Sequence, residues 1–84
     1  MMAQNDLHAL LEYLAKSIVN NPDDVYVEEY VNGKVVHLDL QVHPEDIGRV
    51  IGKHGRVANS MRAILRVVAA RNGKQVEMDV VDFA

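Results

Sequence analysis

The chain has 84 residues, 49% of them hydrophobic, with no cysteine and a formal charge of −3. That length fits one domain over residues 1–84, and the absence of thiols excludes a disulfide framework, a thiolate zinc centre and a cysteine nucleophile. The average charge conceals a polarity: seven of the nine Lys and Arg residues (Arg49, Lys53, Arg56, Arg62, Arg66, Arg71 and Lys74) lie in an acid-free stretch from Gly48 to Lys74, and local surface charge is what meets a polyanion.

Leu7, Leu11, Leu14 and Ile18 recur at helical spacing, which predicts an amphipathic helix over residues 6–20, capped by Asn5 or Asp6 and stopped by Asn20-Asn21-Pro22. Two alternating segments follow, separated by Asn32-Gly33, a pair suited to the positive φ angles of a type I′ hairpin turn. Setting Val31 opposite Lys34 places Val27 against Leu38 and Val25 against Leu40 on an apolar face. Tyr26, Glu28 and Tyr30 then share a wet face with Val35, His37 and Asp39.

Pro44 is preset for the first turn of a short helix that stops at Gly52, with Glu45 and Asp46 at its positive end. After Gly55 a longer helix places Val57, Met61, Ile64, Leu65 and Val68 on one face, with Arg62 and Arg66 opposite, near Asn59. Ala63, Val67 and Ala70 make a second, small apolar stripe. Asn72-Gly73 ends that helix, and residues 75–83 read as a strand with Val76, Met78 and Val80 alternating against Glu77, Asp79 and Val81. The order is α-β-β-α-α-β, an α+β fold whose three-stranded sheet carries its helices on one face.

The segment Ile47-Gly48-Arg49-Val50-Ile51-Gly52-Lys53-His54-Gly55-Arg56 joins two helices through a turn bounded by glycines. Glycines let a backbone approach a sugar-phosphate chain closely, and the N–H groups opening the next helix point at an anion with the helix dipole behind them. Val50-Ile51-Gly52-Lys53-His54-Gly55 resembles the Val-Ile-Gly-x-x-Gly motif of the KH domain family, and the element order resembles its type II topology. More narrowly, the length and the short acidic N-terminal helix resemble the small stand-alone bacterial KH proteins of the KhpA family.

The resemblance implies a mixed three-stranded sheet and a loop that clamps about four nucleotides of single-stranded RNA. It implies that Gly52 and Gly55 shape the loop, that Lys53 and His54 face phosphates, and that Arg49 and Arg56 add charge. Ile47, Val50 and Ile51 would line an apolar groove for bases. It further implies an RNA chaperone or post-transcriptional regulator that self-associates and pairs with a second KH protein, KhpB. Ala58 departs from the family, which often has a large aliphatic residue there; Met61 can fill the space.

Other classes fit less well. Gly48 and Gly52-Lys53 only faintly resemble a P-loop, because the spacing is one residue short and His54 stands where Ser or Thr would hold magnesium. Ser17 and Ser60 lie in helices, no paired carboxylates share a cleft, and His8, His37 and His43 form no metal-ligand pair on one element. The expectation is therefore a non-enzyme without cofactor or metal. Tyr26 and Tyr30 on the wet face read first as residues that shield the sheet, with base stacking the lesser alternative. No apolar run approaches the ~18 residues of a membrane span, and residues 1–6 lack a basic signal-peptide start, so a cytoplasmic protein is expected. The alternative is a KH-fold protein-interaction module with little RNA binding, and the intact Gly-Lys-His-Gly loop argues against it.

Overall fold

The computed structural model describes residues 6–81. Its elements are α1 (Asp6–Ile18), β1 (Tyr26–Asn32), β2 (Val35–Gln41), α2 (Ile47–Ile51), α3 (Arg56–Arg71) and β3 (Gln75–Val80). Single 3-10 turns at Pro22–Asp24 and Pro44–Asp46 lead into β1 and α2, and a third, Lys53–Gly55, joins α2 to α3. The strands lie in the order β1-β2-β3, antiparallel and then parallel, so the sheet is mixed and the expected α-β-β-α-α-β order holds. The proposed cap Asn5 and residues 82–83 of the expected last strand lie outside the described residues.

One face of the sheet and the inner faces of the helices make the core. Leu7, Leu11 and Ala15 of α1 and Met61, Leu65 and Ala69 of α3 are buried against Val27, Val36, Leu38, Leu40, Val76 and Met78 of the strands. Leu11, Leu38, Leu40 and Leu65 have no exposed surface, so each truncation to alanine should cost about 2–5 kcal/mol. Ala58 and Met61 are both buried. The helical periodicities run past the core at two points. Ile18 is 36% and Ile64 44% exposed, and both line the open groove between α1 and α3.

The hairpin corrects the expected register. Val27 pairs with Leu40, Tyr30 with His37 and Asn32 with Val35, a shift of two residues from the alignment of Val27 with Leu38. The turn residues are Gly33 and Lys34. Gly33 has φ 61°, whereas Lys34 is not among the residues with positive φ, the pattern of a type II′ turn with glycine at its first central position. A two-residue shift leaves every side chain on its original face, so the apolar and wet faces stand as expected. What changes is the neighbours: Glu28 meets Asp39 across the strands, and Tyr30 meets His37.

Candidate nucleic-acid interface

The glycine loop is built from three left-handed or extended-left residues in four. Gly52 has φ 77° and ψ 172°, His54 φ 58° and ψ 25°, and Gly55 φ 75° and ψ 12°. His54 is the only non-glycine residue with positive φ among the described residues. Such a conformation costs a side-chain-bearing residue about 1–2 kcal/mol, and nothing in the sequence announced it. The Gly52 N–H donates to Gly48 O at 2.8 Å and the Gly55 N–H to Gly52 O at 3.1 Å, closing two successive turns. A side chain at Gly52 would run into Val57, whose backbone nitrogen would lie 2.8 Å from its Cβ.

Lys53, His54 and Arg56 are exposed. The first turn of α3 behind them has no side-chain cap and no acid, so the positive end of a sixteen-residue helix is left facing outward with the basic loop. Ile51 is 38% exposed and Ile47 half-buried beside the loop. Val50 has no exposed surface and sits in the core, so it supports the loop from within and cannot line a groove as expected. Arg49 is half exposed, with its Nε 3.8 Å from the Asp46 carboxylate. Arg62 is committed elsewhere, donating from Nε to Met78 O (2.9 Å) and from Nη1 to Asn59 Oδ1 (2.9 Å). An apolar groove of about 250 Å3 lies between α1 and α3, lined by Leu14, Ile18, Val57, Met61 and Ile64 with Arg56 and Ser60.

Asp46, expected only to favour a helix start, is fully buried. Burial works to raise its pKa, but hydrogen bonds from the Asn21 side chain and from the N–H groups of Asn20 and Asn21, with the Arg49 charge, outweigh it and hold the carboxyl below the usual range. Sequence gave no sign of this, because the donors lie about 25 residues away.

The sheet face turned away from the core is acidic. Its strand positions hold Glu28, Asp39, Glu77 and Asp79 and no Lys or Arg. Tyr26 and Tyr30 are more than half exposed there, and the Tyr30 hydroxyl donates to Glu28 Oε2 at 2.8 Å. Tyrosines among carboxylates make a poor platform for a polyanion. His37 stands at the centre: Nε2 is 2.9 Å from Asp39 and 3.5 Å from Asp79, and Nδ1 is 3.4 Å from Glu77. The hydrogen bond with Glu77 raises its pKa, burial opposes that, and Asp39 and Asp79 add to the rise. The donor atoms of His37, Asp39 and Asp79 lie within 4.8 Å of one another, close enough to share a cation, a grouping across strands that spacing along one element does not disclose. His8 Nε2 donates to Val27 O at 2.8 Å and ties α1 to β1. His43 Nδ1 accepts from the Glu45 N–H at 3.1 Å and caps the turn before α2.

The family model for the KhpA/KhpB KH domain matches residues 8–80. An RNA-binding protein KhpA from Halalkalibacterium halodurans is 40% identical over 76 residues, covering 90% of this chain and all of that protein. Its counterpart from Streptomyces coelicolor is 46% identical over 78 residues, 90% of this chain and 92% of the relative. The one from Aquifex aeolicus is 38% identical over 76 residues, 90% and 96% respectively. A match that begins in α1, passes through the glycine loop and ends with β3 makes this chain a member of the KhpA/KhpB KH-domain family.

Proposed function

We propose that the chain binds single-stranded RNA, gripping the sugar-phosphate backbone with Gly52–Gly55, and acts as an RNA chaperone or post-transcriptional regulator. The observation that carries this reading is the exposed Lys53-His54 pair at the uncapped positive end of α3. Arg56 extends that charge along α3 and Arg49 along α2, while Ile51 and Ile47 offer apolar surface beside the loop. The relatives named above bear the name of RNA-binding proteins, which supports the same reading.

A loop that holds about four nucleotides neutralises ~2–4 phosphates, and counterion release from a single strand contributes about −0.7 per phosphate. Log affinity against log salt should therefore fall with a slope of about −1.5 to −3. The test is a titration of short single strands and a matched duplex at several salt concentrations, with the parent and a Lys53→Asp, His54→Asp variant. The parent should show that slope and a preference for the single strand; the variant should lose binding while its melting is unchanged. Equal duplex affinity, a slope near zero or full binding by the variant refutes the reading.

A second role, association with other chains, is favoured by the outer face of α3. Ala63, Val67 and Ala70 are exposed, Val67 at 56%, beside Ile64 and the groove to α1. Self-association, or pairing with a second KH protein such as KhpB, would bury this face and stabilise a small domain.

A further inference from the structure

A helix of five residues has no stability of its own, since helix nucleation is unfavourable and isolated helices under about a dozen residues are marginal in water. What α2 touches must therefore hold it. It has two anchors one turn apart. Val50 is one, fully buried in the core. The other is Asp46, the residue before the helix and the only buried polar or charged residue among those described.

The Asp46 carboxylate reaches back to the corner that follows α1. Oδ1 accepts from the Asn20 N–H at 3.1 Å, and Oδ2 accepts from the Asn21 N–H at 3.0 Å and the Asn21 side-chain amide at 2.9 Å. Arg49 closes the cluster from α2: its Nε is 3.8 Å from Oδ1, and with the Asn20 amide turned oxygen-first it donates to that oxygen from Nε and Nη2 at 3.3 and 3.1 Å. The last turn of α2 passes this placement on, because Gly52, the first loop residue, donates to Gly48 O.

We infer that Asp46 is a positioning residue for the glycine loop: by clasping the first turn of α2 to the corner after α1, it fixes where Lys53 and His54 stand at the start of α3. The inference rests on the RNA-binding reading of that loop. Asp46 has no exposed surface, so it cannot touch RNA and acts only through what it holds. An ionised carboxylate is retained in such a place only when its oxygens are satisfied, as these are by three hydrogen-bond donors and one cation from two segments.

The sign of the effect separates this role from a simple charge effect. Asp46→Asn removes a negative charge near the bound polyanion, which alone would tighten binding, whereas a loosened loop weakens it. If the loosened loop keeps its competent arrangement roughly one-tenth of the time, the apparent Kd for a short single-stranded RNA rises about tenfold. The salt slope should not change, because no phosphate contact is removed. Measurements are made well below the melting temperature, with folding verified by circular dichroism. Asn21→Ala removes one side-chain donor and keeps the charge; it should weaken binding in the same way by about two- to threefold, and it decides the matter if Asp46→Asn does not fold. Amide NMR shifts of Gly52–Gly55 should move in each folded variant. Folded variants that bind as tightly as the parent, or more tightly, reduce Asp46 to a stabilising contact and overturn the inference. Should the parent itself fail to bind RNA, the loop's function is what fails, and the NMR shifts alone then decide: moved, the positioning role stands; unmoved, it falls.

Discussion

Replacing Gly52 with alanine should do more damage than any comparable change in the loop. Gly52 occupies φ 77°, ψ 172°, a region essentially closed to residues with a Cβ, where the backbone strain is about 1–3 kcal/mol. The added methyl would also collide with the Val57 side chain and lie 2.8 Å from its backbone nitrogen, and forced overpacking adds about 1–3 kcal/mol. Together these give a loss of about 2–6 kcal/mol, a large share of the roughly 4–13 kcal/mol expected for a domain this size. At about 4–8 °C per kcal/mol, the melting temperature should fall by on the order of 10–50 °C. The backbone can yield only by lifting the first turn of α3 from the end of α2, so RNA binding should go with it. Gly55 and Gly48 are the controls. Gly55 is also left-handed, but its nearest neighbour would be Asn59 Nδ2 at 3.7 Å, so Gly55→Ala should cost only the backbone strain of about 1–2 kcal/mol. Gly48 lies inside α2 with open space around it, and Gly48→Ala should be neutral or stabilising by up to ~1 kcal/mol. Thermal melts followed by circular dichroism give the ranking. If Gly52→Ala melts no lower than Gly55→Ala, the close approach to Val57 is not what requires a glycine.

His54→Gly should raise the melting temperature by a few degrees, because it relieves about 1–2 kcal/mol of left-handed strain, while weakening RNA binding through loss of the imidazole; a lower melting temperature would show that the imidazole supports the fold. For the sheet, the raised His37 pKa means its contribution to stability is fully present below the unfolded value of about 6.5 and is lost as pH rises through the higher folded value. Urea unfolding should thus weaken from pH 6 towards pH 8, and His37→Gln should flatten the decline; an unchanged profile in the variant refutes the assignment. Asp46 behaves oppositely: its lowered pKa makes its contribution complete above about pH 4 and lost as the pH falls through the folded value, so acid unfolding should shift upward in Asp46→Asn. Sedimentation of an Ala63→Glu, Val67→Glu variant tests the outer face of α3: an unchanged dimer, or a parent monomeric at high concentration, removes it as an association surface.

The periodicities that depend on burial were legible in the sequence. Leu7 and Leu11, the alternation of Leu38 and Leu40, and Met61 with Leu65 mark the faces that the core covers. The hairpin shows where such reasoning stops. Alternation fixes which face a residue takes, but not which residue it meets, and Asn32-Gly33 reads as a type I′ turn although the chain turns one residue later with only Gly33 left-handed. At the loop, the glycines and basic residues were visible, whereas the left-handed φ of His54 was not, since histidine carries no preference strong enough to announce it. The family resemblance placed Val50 in the groove lining; the helical turn instead aims it into the core. Asp46 and the His37 cluster are assembled from residues distant in the chain, so no local pattern contains them.

The glycine turn also sits at a decisive point in the order of assembly. β2 and β3 are parallel neighbours, and the chain between them runs through α2, the loop and α3. A parallel pair cannot form until its connection has doubled back, and that closure entropy is met before any strand contact rewards it. The reversal occurs at Gly52–Gly55. Residues 52–55 therefore also gate how quickly the third strand joins the sheet, and a loop variant that folds to the same structure can still reach it more slowly.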